Sequence, residues 1–412
     1  MENEEIVLEA QAKSFHYGWV IVFTGTLTIV ACLGLARFAF GMLLPSMSEA
    51  LHMSYDEMGL LGTANFAGYL TAVGFTPILL RRLTPRLLIS GGLALISACI
   101  FAISMSAGYK LVLVLYTIVG IGSGLANIPL MVLVSYWFSK EKRGQAAGFI
   151  VIGSGFAIIF SGMLIPYLNG IYGQSGWRVS WFIIGLIVLL VCIVASVLIR
   201  NTPEEKGLKP HGKVTEPAAP SAEVKQVSML RILTHLGALY FIFGATYVVY
   251  GTFIVTTMVK EYGFAEASAG HLWSWIGFFS LFSGVVFGIL SDKAGRKTGM
   301  MAVYAVQTAA YCLVGLNIGS QYIFISVVLY GLAAFAIPAI MAASIGDYLG
   351  KARAAAGFSI VTFFFATGQT LGPFVAGILA ESSGTFKVSY LASGGLTLLA
   401  VIIANFLPKS SH

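Results

Sequence analysis

Twelve times along its 412 residues this chain offers an apolar stretch long enough to cross a lipid bilayer. A hydrocarbon core about 30 Å thick takes about 20 apolar residues per helix. In that medium every backbone N–H and C=O must be paired within the protein, so a bundle of spanning helices is the structure such a chain can adopt. The stretches fall at approximately 17–45, 58–80, 87–108, 111–138, 145–169, 179–199, 235–259, 270–290, 298–318, 321–346, 355–380 and 386–407. Only 10% of the residues are charged and 58% are hydrophobic, whereas a soluble domain carries about 25% charged residues. An all-α membrane protein of twelve transmembrane helices is expected, with most of its surface against lipid.

Lys and Arg are retained on the cytoplasmic side and so set orientation. Nineteen of the 24 basic residues fall in the termini and the loops on one side, four (Lys110, Arg178, Lys260, Lys387) on the other, and one, Arg37, inside a span. Both termini are therefore expected in the cytoplasm, with the chain in a bacterial inner membrane. The same asymmetry explains the net charge of +7 and gives no reason to expect a nucleic-acid partner. Glu2, Glu4, Glu5 and Glu9 make the first residues acidic, the opposite of a signal-peptide n-region, so the first span is expected to direct insertion itself. Cys32, Cys99, Cys192 and Cys312 each lie in a different span without metal-ligand spacing, so neither a metal nor a cofactor is expected.

Between the sixth and seventh spans lies the one long polar segment, with Pro203, Pro210, Pro217 and Pro220. It reads as a flexible linker. The expected organisation is a tail at 1–16, a six-helix bundle at 17–199, the linker at 200–234, a second bundle at 235–407 and a tail at 408–412. The bundles repeat at an offset of 209 residues: Ala146-Ala147-Gly148-Phe149 recurs as Ala355-Ala356-Gly357-Phe358, Ile128-Pro129 as Ile337-Pro338, and Gly122 as Gly331. A parallel repeat of this kind places a substrate between the halves near the midplane.

After the eighth span, Gly288-Ile289-Leu290-Ser291-Asp292-Lys293-Ala294-Gly295-Arg296-Lys297 resembles the loop signature of the major facilitator superfamily. The resemblance implies two pseudo-symmetric six-helix bundles and a secondary transporter. Here Gly288 is expected to permit close helix packing, and Asp292 to pair with basic groups or a helix terminus across the cytoplasmic interface in one state only. The first-half copy departs from the pattern, with Ile78 where the acid should stand, although Arg81, Arg82 and Arg86 follow. Gly120-Ile121-Gly122-Ser123-Gly124, Trp137-Phe138, Gly153-Ser154-Gly155 and Gly176-Trp177-Arg178 are similar to the monocarboxylate-porter and oxalate/formate-antiporter branch. Gly34-Leu35-Ala36-Arg37-Phe38, Leu44-Pro45 and Gly59 to Leu70 are similar to bacterial YbfB-type permeases. That porter branch carries a basic binding residue in its eighth span, and 270–290 here holds no Lys or Arg, so its site does not transfer residue by residue.

Arg37 is the basic residue well inside a span, about 12 Å along the helix from Pro45. A charge at that depth costs about 2.5–3.5 kcal/mol on insertion scales and normally faces a wet cavity or a partner. It is expected either to bind a substrate carboxylate or to bond helix carbonyls as structural glue, with Gly34 and Gly41 leaving room beside it. Asn65 and Tyr69, Asn127, Tyr247 and Tyr250, Tyr330 and Gln369 are further candidates for the cavity lining. His271 and Glu381, at outer span ends, are candidates for proton coupling. The expected function is alternating-access transport of a small organic anion, in particular a monocarboxylate, coupled to protons or to exchange of a second anion, by a monomer in the bilayer. Efflux of hydrophobic or drug-like compounds is the alternative. No nucleophile and base pair, metal spacing or phosphate loop points to an enzyme.

Overall fold

The computed structural model describes residues 16–139, 141–212, 229–350 and 353–408; the expected tails, at 1–15 and 409–412, and the linker stretch 213–228 lie outside them. The described residues form the twelve expected spans. The first half comprises α1 (Gly18–Ala50), α2 (Tyr55–Leu79), α3 (Pro85–Met105), α4 (Tyr109–Trp137), α5 (Arg143–Tyr172) and α6 (Gly176–Leu198). The second comprises α7 (Met229–Lys260), α8 (Glu266–Ala294), α9 (Arg296–Gly315), α10 in two pieces (Gln321–Ala333 and Ala336–Leu349), α11 (Ala354–Ser383) and α12 (Lys387–Asn405).

In lipid the helices gain little from hiding apolar surface from one another, so small residues that let backbones touch decide which helices pair. A Cβ on Gly68 would strike the Thr117 carbonyl and one on Gly120 the Asn65 carbonyl, which locks α2 to α4. Two spans depart from regular helix. Residues Val30–Phe38 of α1 are π-helical, a widened turn that rotates everything after it relative to an ideal helix. The second departure is the break at Ala334–Phe335 in α10, four residues and fewer before Pro338. Proline has no N–H for the Ala334 carbonyl and its ring crowds that carbonyl; the freed Phe335 N–H donates instead to Ser283 Oγ at 3.0 Å.

The halves meet through α1 against α7, α2 against α11 and α5 against α8. Hydrogen bonds between them cluster at the face away from the termini. There Tyr55 N–H donates to Glu381 (2.9 Å), Thr63 Oγ1 to the Thr370 carbonyl (2.8 Å), Lys260 Nζ to Ser48 Oγ (2.7 Å) and Asn169 Nδ2 to Glu266 (2.5 Å). Toward the termini, Gly74 on α2, Gly144 and Gly148 on α5, and Gly284 and Gly288 on α8 have no other atom within 4 Å of where a Cβ would stand. The close packing expected of Gly288 is therefore absent in this state. The molecule is closed on the far face and splayed on the face of its termini.

The segment expected to be flexible from residue 200 is fixed over its first dozen residues. Ser139 N–H donates to the His211 carbonyl (2.9 Å), His211 N–H to the Trp137 carbonyl (2.8 Å), and Trp137 Nε1 to the Arg200 carbonyl (2.9 Å). The His211 ring lies against Trp19, Phe138 and His16, the last at 4.7 Å between centroids. Burial, then the neighbouring His16 and Lys142, hold the His211 pKa below its ordinary 6.5. Docking thus favours the neutral ring: its contribution is complete above 6.5 and is lost as the pH falls below that value, where a released His211 takes up a proton. Amide hydrogen exchange across 201–212, corrected for its intrinsic pH dependence, is expected to rise as the pH drops through this range, and His211→Gln is expected to flatten that dependence.

Candidate functional site

The π-helical stretch of α1 ends next to Arg37 and presents its side chain to α2 and α4. Arg37 as a whole is 8% exposed. Its Nε donates to Asn65 Oδ1 at 3.1 Å, and its Cζ lies 4.7 Å from the Phe66 ring centroid and 4.5 Å from that of Tyr69. Asn65 is held in turn by donating Nδ2 to the Tyr116 carbonyl (3.3 Å), while the Tyr116 hydroxyl donates to the Arg37 carbonyl (3.4 Å). Two stacked rings and one amide oxygen disperse and orient a positive charge without neutralising it. Arg37 Nη2 is buried and has no hydrogen-bond partner. Both ion pairs found among the described residues belong to Arg296, so no described carboxylate lies within salt-bridge distance of Arg37.

Beside the guanidinium is a cavity of ≈ 10 Å³ lined by both halves, with Phe40, Gly41, Gly62 and Tyr116 on one side and Gly251 and Thr252 on the other. That is about the space of a single water. The glycines do not leave the room expected of them: a Cβ on Gly34 would strike Ala157 and one on Gly41 the Gly251 carbonyl. Their small size is consumed by contact with α5 and α7, because the widened turn has rotated them toward neighbouring helices.

The other candidates divide into two groups. Asn127 Nδ2 donates to the Tyr69 hydroxyl at 2.8 Å, extending the Arg37–Asn65–Tyr69 array to α4, and its Oδ1 is buried without a partner. Across the midline, Gln369 Nε2 donates to the Tyr247 hydroxyl. Tyr250 and Tyr330 sit inside the second half. Their rings stack at 3.9 Å, Tyr250 shares a hydrogen bond with Ser326 (2.7 Å), and Tyr330 donates to the Tyr247 carbonyl (2.7 Å). His271 is exposed near the start of α8. Glu381 accepts the Tyr55 N–H at the first turn of α2, where a carboxylate is favoured by the helix dipole. Sequence reasoning passed over Glu266 and Lys260, whose cross-half bonds are set by pairing of loops far apart in the chain.

At the loop signature, Gly295 takes φ +92, a backbone conformation that favours glycine, and turns the chain from α8 into α9. Arg296 then bridges Asp292 and, at 2.6 Å, Asp347. All three belong to the second half, so in this state Asp292 is latched within its own bundle and makes no ion pair across the interface with a described residue. Lys297 is half-buried beside them. In the first half, where Ile78 replaces the acid and is 61% exposed, Arg86 donates from Nε to the Ser196 carbonyl at 2.8 Å, and its backbone N–H to Asn201 Oδ1 at 3.0 Å.

Comparison with known proteins agrees with this architecture. The family profile described as "Uncharacterised MFS-type transporter YbfB" matches residues 29–405. Human monocarboxylate transporter 2 is 21% identical over 94% of this chain and 84% of its own length. The hexuronate transporter of Bacillus subtilis strain 168 is 23% identical over 89% of each. Among solved structures, a bacterial homolog of the human lysosomal transporter Spinster, in an inward-facing and occupied conformation, superposes with a TM-score of 0.72 at 14% identity, covering 94% of this chain and 95% of that one. The nucleoside transporter NupG gives 0.72 at 14% identity, covering 95% and 98%. These structures share the fold. With its helices, its two bundles and nearly its whole length matched, the chain belongs to the YbfB-type transporters of the major facilitator superfamily.

Proposed function

We propose that this transporter moves a small organic monocarboxylate by alternating access, with Arg37 as the group that holds the anion and with a proton or a second anion as the coupled species. The observation that carries the reading is the unpartnered Nη2 of a buried guanidinium with no described carboxylate in reach. Arginine keeps its proton in proteins, so the charge persists whatever surrounds it, and a single-carboxylate ligand supplies both the missing acceptor and the missing countercharge. Monocarboxylates and hexuronates, after which the two relatives are named, both carry one carboxylate. A cationic substrate would meet repulsion here, which disfavours efflux of cations. Asn65, Tyr69, Asn127, Tyr247 and Gln369 are proposed to complete the cavity; Tyr250 and Tyr330, bonded within the second half, shape it from behind.

Glu381 and His271 remain the proposed titratable groups. Protonating Glu381 would remove the charge that holds the Tyr55 N–H and so loosen the far-face contact between halves. On this reading the sidedness expected from the basic residues makes the open face cytoplasmic, and Asp292 changes partners when that face closes.

Two measurements test the site. With a panel of carboxylates, sugars and cationic dyes, carboxylates alone are expected to stabilise the purified protein against thermal unfolding, by about 2.7 kcal/mol of unfolding free energy at 100-fold their Kd. Arg37→Ala should abolish the response; a response unchanged by the substitution would make Arg37 structural. Asn65→Asp places a carboxylate beside the guanidinium from within. It is expected to eliminate carboxylate binding by occupying the anion's place, while the charged bond gained to Arg37 is offset in stability by the lost Nδ2 donor to the Tyr116 carbonyl.

A further inference from the structure

The contact between α5 and α8 is in register only halfway along. On the closed side Gly162 meets Gly270, where a Cβ on Gly162 would come within 2.5 Å of the Gly270 carbonyl. Seven residues further along each helix, Gly155 meets Gly277, where a Cβ on Gly277 would lie 2.7 Å from the Gly155 carbonyl. The helices run antiparallel, and seven residues are about two turns, which returns to the same face. Another seven residues on each reach Gly148 and Gly284, and four more reach Gly144 and Gly288. Both helices thus carry glycine at the same four steps, yet the last two pairs have nothing within 4 Å of their missing Cβ atoms. Glycine in a helix interior costs about 0.5–1 kcal/mol relative to alanine, and in this state the four residues make no contact that needs it.

We propose that Gly148 with Gly284, and Gly144 with Gly288, form the unzipped half of one glycine seam, and that α5 and α8 close on these pairs in the opposite state to seal the face of the termini. Only glycine on both helices lets the backbones approach as closely as they do at Gly155 and Gly277. Closure continues the register already in place, with no sliding of one helix along the other. Splaying at Gly162 and Gly270 would accompany it, releasing the bond between Asn169, about two turns beyond Gly162, and Glu266, about one turn beyond Gly270. The proposal rests on alternating access but not on the anion reading, and its test uses no substrate.

Ser46 on α1 is half-buried at the far-face contact, where it accepts from Asn169 Nδ2 at 3.3 Å. In a chain whose four cysteines are replaced by alanine, S46C should react with a maleimide only when the far face opens. Adding G148L and G284L fills the open half of the seam. The expected result is an unfolding temperature at or above that of the parent, since the leucines meet open space in this state, with alkylation slowed by about tenfold or more because the other state is blocked. G91L, at an equally open glycine on α3, should leave the rate unchanged. Equal alkylation with and without G148L and G284L would overturn the proposal, showing that these glycines face lipid in both states. A lowered unfolding temperature would also overturn it, by showing that the faces are already packed. In the positive direction, the G148C/G284C pair should cross-link in membranes with a short thiol-reactive reagent and speed S46C alkylation; failure to cross-link rejects the register.

Discussion

A guanidinium held between two aromatic rings and one amide, with no described acid beside it, is the interaction around which the rest of this molecule is arranged. Burying a charge in a low-dielectric interior carries a penalty of several kcal/mol, which pairing normally offsets. Here the pairing inside the chain is incomplete at Nη2, which carries two N–H donors. The surrounding structure is correspondingly firm: Asn65 accepts from the Arg37 Nε and donates to the Tyr116 carbonyl, the Tyr116 hydroxyl donates to the Arg37 carbonyl, and glycine contacts clamp α2 onto α4. The positive charge is kept in place by packing, so its vacancy for an acceptor is a standing property of the first half.

Much of this fold was legible from the chain alone. The span count, the duplication and the loop signature follow from hydropathy and from repeated words such as Ala146-Ala147-Gly148-Phe149, because the bilayer imposes one length and one secondary structure on every crossing. Arg37 also stood out, since an ionised residue at that depth is rare in any span. What surrounds it was less legible. A π-helical turn has no compositional mark in Val30–Phe38, and that turn decides that Gly34 and Gly41 pack against α5 and α7 instead of opening space. Tyr247 and Tyr250 are three residues apart on one helix, yet one bonds Gln369 and the other Ser326; helical spacing gives the face but not the neighbour. The linker misled for a related reason. Its proline and charge content describes the segment's own preferences, whereas the docking of 201–212 is decided by the Trp137 and Ser139 backbone it meets.

The two halves descend from one repeat but have divided their work. The first supplies the cation, its aromatic bracket and the amides of Asn65 and Asn127. The second answers with hydroxyls and the Gln369 amide, and with Gly251 and Thr252 against the cavity. On the proposed function, charge on one side and neutral dipoles on the other would let a ligand be held strongly by one bundle and lightly by its partner, a suitable division when the bundles must later part.

The corner at Arg296 extends this asymmetry to the surrounding solution. Its bond to Asp292 joins full charges, and the Asp292 side chain is 66% exposed, so dissolved ions reach it; at physiological ionic strength the screening length is only about 8 Å. The corresponding corner of the first half hangs on Arg86 and uncharged acceptors, Ser196 and Asn201, where added ions have less attraction to weaken. Salt therefore loosens one bundle's hinge more than the other's. A duplicated carrier has become, at the corners on the face of its termini, a device with one electrolyte-sensitive arm and one indifferent arm.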